Sequence, residues 1–169
     1  GESHDSLAVD RYEDAERCLK QFVPRPYGTP WSPAPGLQAR MDPSGHMLGS
    51  AFVKIDDGRR SILFSGDIGR PNDLVLVAPA RVPGADYAVV ESTYGDRQHE
   101  ASDPLLKLGE VINRTAARGG VVVIPAFAVG RAQNLMYCIH LLKERGVIHH
   151  LPVYLDSPMA TEATRIYHA

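Results

Sequence analysis

Cysteine is scarce in this chain: Cys18 and Cys138 are the only two among 169 residues. Two isolated cysteines leave a single disulfide open but point to a reducing, cytoplasmic setting. Each falls in a predicted amphipathic helix, where a free thiol behaves as a small hydrophobe. No apolar run approaches the roughly 18 residues that span a bilayer, and Gly1-Glu2-Ser3-His4-Asp5 is not a signal sequence, so a soluble chain without a membrane partner is expected. Excess charge is missing as well, with 18 basic against 20 acidic side chains and a formal net charge of −2. Domains that hold nucleic acid by bulk charge are usually strongly basic, so that class is excluded, whereas a nuclease working through metal and a local groove is not. Repeats, low-complexity tracts and the GxGxxG and Walker phosphate-binding patterns are absent too.

What is present is a 44% hydrophobic chain, long enough for one domain or for one lobe plus part of another. Its most informative stretch runs from Ser44 to Gly95 and holds three phrases. They are Ser44-Gly45-His46-Met47-Leu48-Gly49-Ser50, Phe64-Ser65-Gly66-Asp67-Ile68-Gly69-Arg70 and Glu91-Ser92-Thr93-Tyr94-Gly95. Each sets one ligand-type or proton-handling side chain among small residues just past an apolar run, as the end of a strand does. Neutral imidazole and carboxylate both suit a hydrolytic zinc, which singles out His46 and Asp67. The residues between them, Ala51–Ile55, Asp57-Gly58 and Ser61–Phe64, read as a hairpin with an Asp-Gly turn. A hairpin returns its second strand to the start of its first, so Asp67, 21 residues after His46, is expected beside it at one sheet edge. The competing reading takes Gly45-His46 and Gly66-Asp67 as polar turns at the ends of a surface hairpin. Spacing alone does not separate the two. Gly66 and Gly69 are expected to allow the turn that aims Asp67, with Ser65 and Arg70 steadying it from behind.

The ordered phrases Gly-His-Met-Leu-Gly-Ser-Ala, Phe-Ser-Gly-Asp-Ile-Gly-Arg and Glu-Ser-Thr-Tyr-Gly-Asp-Arg resemble the metallo-β-lactamase-fold nucleases that carry a β-CASP insertion, the RNA-processing branch of that superfamily. Val123–Gln133 and Val153–Ala160 resemble the opening of the β-CASP insertion, so the likeness covers nearly the whole chain. The family's main zinc motif, His-x-His-x-Asp-His, appears nowhere in the seven histidines, and His149-His150 reads as a solvated turn. The resemblance therefore implies a middle segment. It implies residues 1–94 as an incomplete part of an αββα metallo-β-lactamase sandwich, and 95–169 as the first, also incomplete, part of a β-CASP α/β domain.

By the same resemblance, His46 ligates one of two zinc ions and Asp67 bridges both, in an enzyme whose metals activate a hydroxide for attack on a phosphodiester phosphorus. Two cations close together lower a water's pKa and clamp the attacking and leaving oxygens, and a carboxylate suits the bridge because it has two oxygens and a full charge. Asp67 and Glu91 are the catalytic candidates. Glu91 matches the acidic residue that, in the family, orients a later histidine that protonates the leaving group; this chain does not contain that histidine. The alternative for Glu91 is a strand-end carboxylate capping the Ser92 and Thr93 amides. Arg97, Arg131 and Ser157 are candidate RNA contacts, with Gly130-Arg131 opening a helix whose amides suit a phosphate or whose arginine ion-pairs within the fold. The complete protein is expected to carry two zinc ions and to act on single-stranded RNA, with a homodimer left open. The chain alone, offering only two ligands, is expected to hold no tightly bound metal. Two other classes stay open: a small-molecule hydrolase of the same fold, and a non-catalytic RNA-processing subunit. Intact His46 and Asp67 count against the second, and the Glu-Ser-Thr-Tyr-Gly and β-CASP phrases against the first.

Along the rest of the chain, the first eight residues are polar and loose. Tyr12, Ala15, Cys18 or Leu19, and Phe22 follow helical spacing until Pro24 and Pro26 stop it. A proline-rich connector to Pro35 is expected to pack Tyr27 and Trp31 on the core. Leu37–Met41 reads as a strand, Leu74–Val77 as a short apolar run of open type, and Asp86–Val90 as a buried strand delivering Glu91. Asp103 is the predicted cap of a helix with Pro104 at its first position and Leu105, Leu108, Val111, Ile112 and Thr115 inward. Val121–Ile124 and Val153–Leu155 read as parallel strands flanking a helix over 130–144, one right-handed βαβ unit with Met136 in its core. A last helix follows Ser157-Pro158.

Overall fold

Local turn chemistry fixes the centre of the molecule. In this computed structural model, which describes residues 12–82, 84–98 and 103–168, Asp57 Oδ1 accepts hydrogen bonds from the Arg59 and Arg60 amides at 2.8 and 2.7 Å, and Asp56 Oδ1 accepts from Gly58 at 2.7 Å. Gly58 adopts φ +82°, which suits a residue without Cβ. These bonds close the predicted hairpin, made of β2 (Ala51–Asp56) and β3 (Ser61–Phe64), antiparallel with Asp56 opposite Ser61. On one side β1 (Gln38–Pro43) pairs antiparallel with β2, and on the other β4 (Tyr87–Val89) runs parallel to β3. The four strands form one sheet in the order β1-β2-β3-β4. Trp31 extends the pattern by bridging Ala39 from the proline-rich connector. Tyr27 is more open than expected, with its hydroxyl donating to the Ser50 carbonyl at 3.0 Å.

Asp86 ties the start of β4 to the start of β3, since its carboxylate accepts from the Ser61 amide at 2.7 Å and the Ser61 hydroxyl at 2.9 Å. Those two donors hold its pKa below the ordinary 3.8. A carboxyl whose folded pKa is depressed stabilises the fold fully above its unfolded value and loses that contribution as pH falls through the folded one. Protection of the Ser61 amide, relative to its intrinsic exchange rate, is therefore expected to fall as pH drops below about 3.8, and Asp86→Asn to flatten that dependence. Equal pH profiles for the two proteins would contradict the assignment.

The second half is helical. In α2 (Pro104–Ala116) Asp103 Oδ1 caps the Leu105 amide at 2.8 Å, with Pro104 at the first position as expected. Behind it come α3 (Arg131–Glu144) and α4 (Pro158–Tyr167). Ile112, Leu142 and Ile148 form the core between α2 and α3, flanked by Leu105, Leu108, Val122, Ile139, Val147 and Leu151. Gly109 lets the pair approach, because a Cβ there would lie 3.0 Å from Val147 Cγ1 and 3.3 Å from Leu142 Cδ2. Met136 is half-buried, and His149 and His150 are exposed as expected.

Several expectations fail. The runs 121–124 and 153–155 enter no ladder, so the βαβ unit is not completed among the described residues. Val121 and Val123 are 85% and 84% exposed, and only Val122 packs on the helical core. An apolar run becomes a strand only when another strand satisfies its amides and carbonyls, and the described residues supply none here. For the same reason β4 is not buried: Tyr87 is 52% exposed on an edge strand that, among the described elements, contacts β3 alone. Val111 turns partly outward. Leu74–Val77, whose type the sequence left open, follows a turn in which Asp73 accepts from the Val75 and Leu76 amides. In α1 (Tyr12–Leu19) no residue is buried, so Cys18 lies exposed, not tucked away as a hydrophobe. Cys138 is half-buried, and burial pushes its thiol pKa up. Residues 1–8, for which a loose stretch is expected, lie outside the described residues. No described helix is long and apolar enough to cross a membrane.

Candidate metal centre

Ser44, directly after β1, is completely buried and serves both loops of the site. Its hydroxyl donates to the Asp67 carbonyl at 2.8 Å, and its carbonyl accepts from the Gly69 amide at 2.8 Å. Ser50 organises the His46 loop in turn: its hydroxyl accepts from the His46 and Met47 amides, each at 3.1 Å, and donates to the Met47 carbonyl at 2.8 Å. The two loops touch backbone to backbone. A Cβ on Gly69 would fall 1.8 Å from the Gly45 carbonyl oxygen, and one on Gly45, at φ +72°, would fall 2.7 Å from the Val77 carbonyl oxygen.

This crossing brings His46 Nε2 to 3.8 Å from Asp67 Oδ2, with the two side chains 43% and 71% exposed. The hairpin thus does what its spacing requires. Two donors that each bind a zinc ion at about 2.0–2.2 Å stand no more than about 4.3 Å apart, so the pair fits the group its residue types suggest. Among the described residues no third His, Cys, Asp or Glu joins them into a metal-sized group.

Glu91 stands behind this pair. Its Oε1 accepts from the Ile68 amide at 2.8 Å, and its own amide donates to Ser65 Oγ at 3.0 Å. The Ile68 amide, then the Thr93 hydroxyl, hold its carboxyl below the usual range, with smaller help from the Thr93 amide and nearby His46. Glu91 therefore steadies the loop that carries Asp67. The capping alternative holds for Thr93, with Ile68 as the stronger partner. Ser65, buried, links the same elements, donating to the Gly66 carbonyl at 2.7 Å while its amide donates to Val89 at 2.9 Å.

The other candidates sit in separate local settings, and among the described residues none bonds to His46 or Asp67. Arg97 lies exposed beside Asp96 at 3.7 Å, its guanidinium 5.9 Å from the Tyr94 ring. Arg131 opens α3, but the amides around it are engaged: Gly130 donates to Gln133 Oε1 at 2.7 Å, Arg131 to Val129 O at 3.1 Å, and Ala132 to Phe127 O at 3.1 Å. That leaves the guanidinium, not an amide cradle, as the group offered to a phosphate. Ser157 caps α4, its Oγ accepting from Ala160 at 3.2 Å. Sequence reasoning missed Ser44, Ser50 and Gln133 as organisers. For the two serines, a small hydroxyl residue directly before or after a glycine-rich loop was the available signal; Gln133, inside α3, offered none.

Known proteins extend this picture. The Beta-Casp domain family matches residues 132–169. Ribonuclease TTHA0252 of Thermus thermophilus is 37% identical over 156 residues, covering 92% of this chain and 36% of the relative. Transcription termination factor FttA of Methanococcus maripaludis is 35% identical over 163 residues (93% of the chain, 25% of the relative). The protein of that name from Thermococcus kodakarensis is 38% identical over 165 residues, covering 94% and 25%. The chain thus spans roughly a quarter to a third of the length of these relatives.

Proposed function

Starting from a chain that belongs to the β-CASP branch of the metallo-β-lactamase-fold proteins, we propose that in the complete protein His46 and Asp67 hold zinc for hydrolysis of RNA phosphodiester bonds, single-stranded RNA being the substrate. One observation carries the reading: two loops locked backbone to backbone present an imidazole and a carboxylate 3.8 Å apart at an exposed edge. Bound there, zinc would supply Lewis acidity and a water of lowered pKa.

The chain's own residues do the holding. Asp67 keeps its carboxylate open to solvent while its backbone carbonyl is fixed by Ser44, so the carboxylate would be available to hold zinc. Glu91 and Ser65 keep that loop in place from the β4 side. Two carboxylates repel a phosphate backbone, and a cation at the His46–Asp67 pair reverses that local sign. The substrate class rests on the name of the bacterial relative, a ribonuclease. We assign residues 1–94 to the metallo-β-lactamase-fold portion and 95–169 to the start of the β-CASP portion, supported by a sheet confined to 38–89 and helices from 104 onward.

The test compares the isolated 169 residues with the complete protein, both dialysed against zinc and assayed on labelled single-stranded RNA. A catalytic zinc holds about three protein ligands, so the isolated chain is expected to keep no stoichiometric metal and to cut nothing, while the complete protein does both. Cleavage by the complete protein that survives exhaustive chelation would overturn the reading.

A further inference from the structure

Six residues beyond Asp67 the chain turns at Asp73, whose Oδ1 accepts from the Val75 and Leu76 amides at 2.8 and 2.9 Å. The carboxylate is thereby rigid with respect to the loop that leaves the metal centre. From the other half, Asn134 Nδ2 donates to Asp73 Oδ2 at 3.1 Å and to Oδ1 at 3.3 Å. Asn134 is anchored as firmly. Its amide donates to the Gly130 carbonyl at 3.0 Å in the first turn of α3, and its Oδ1 faces Cys138 Sγ at 3.5 Å, which turns Nδ2 toward Asp73. Next to it, buried Gln133 ties α3 to α4 through the Ala160 carbonyl at 3.3 Å and Thr164 Oγ1 at 3.0 Å.

This pair of hydrogen bonds joins the sheet half to the helical half, while among the described residues no strand of the sheet packs on α2, α3 or α4. It spans 61 positions of sequence. We propose that Asp73 and Asn134 are positioning residues that set the distance between the helical half and the loop bearing Asp67. The catalytic consequence rests on the ribonuclease reading above: RNA held by one half and cut at the other is productive only at a fixed separation, where a shift of about 1 Å costs about 10²-fold in rate.

The complete protein tests this with spin labels at Arg59, in the β2–β3 turn, and Glu144, at the end of α3, both exposed. The labels are introduced without thiol chemistry, since Cys18 is also exposed. Asn134→Ala is expected to broaden the distance distribution, and Asn134→Asp to lengthen it as two carboxylates repel. The exchange Asp73→Asn with Asn134→Asp should restore a narrow distribution, because the amide introduced at 73 still accepts from Val75 and Leu76 and now donates to the new carboxylate. On RNA, both single variants should lose about 10-fold or more in kcat/KM with zinc content unchanged, and the exchange should recover it. A distribution as narrow in both single variants as in the parent overturns the proposal, as does an exchange no better than the singles. The distance readout needs neither RNA nor metal. Failure of the ribonuclease reading would leave the parent inactive with the distance effect intact.

Discussion

Asp67→Ala in the complete protein is expected to abolish RNA hydrolysis and to lower zinc content to one ion or none, while leaving thermal unfolding nearly unchanged. The asymmetry follows from how Asp67 is built into its loop. Its backbone carbonyl is the acceptor for Ser44 and survives the substitution, whereas its carboxylate is largely exposed and pairs, among the described residues, with His46 at 3.8 Å. On the role proposed for it, removing it takes away metal affinity without removing packing. Changing a residue that merely orients a metal ligand costs about 10–100-fold, so deleting the carboxylate proposed as a ligand should exceed about 100-fold. Asp67→Asn, which keeps the shape and removes the charge, should behave nearly as badly, because an amide is a poor substitute for a bridging anion. Elemental analysis and a single-turnover cleavage assay check both parts. Cleavage at the parent rate by the alanine variant would remove Asp67 from the mechanism.

Features governed by local chemistry were legible in the sequence. Asp57-Gly58 closes its hairpin, and Asp103-Pro104 and Ser157-Pro158 start their helices, because each needs only a side chain and amides two or three residues away. The meeting of His46 and Asp67 was legible for a related reason: a closed hairpin leaves its two ends little choice. What failed depended on distant partners. Nothing in Val121–Ile124 states whether another strand will pair with it, and nothing in Asp86–Val90 states what covers it. The turn at Asp73 could be read from Pro71-Asn72-Asp73, but its partner Asn134 lies 61 residues on, inside an ordinary helical pattern. Glu91 shows a middle case. Its position at a strand end was readable, yet its main partner, the Ile68 amide, arrives from the neighbouring loop and recasts it as the support of Asp67.

Gly69→Ala is expected to be the most damaging small substitution at the centre, for a reason the sequence disguises. Gly69 reads as a turn glycine, but it does not adopt a left-handed φ, so alanine meets no backbone strain there. The obstacle is space. The added Cβ would lie 1.8 Å from the Gly45 carbonyl oxygen, 2.1 Å from its carbon and 2.7 Å from the His46 amide nitrogen. All three are backbone atoms, so no side chain can swing aside, and the Ser44 bonds to Asp67 and Gly69 hold both loops against retreat. Overpacking of a core commonly costs about 1–3 kcal/mol where neighbours can yield, and this contact should reach about 3 kcal/mol or more. Whatever separation relieves the clash also parts His46 from Asp67, so zinc affinity should fall together with stability. Gly84→Ala supplies the control, since its Cβ would enter open space at an ordinary backbone conformation. Urea midpoints of the two variants in the complete protein, with zinc titrations alongside, decide the matter. A Gly69→Ala protein as stable and as metal-loaded as the Gly84→Ala protein would show that the two loops do not meet as closely as described.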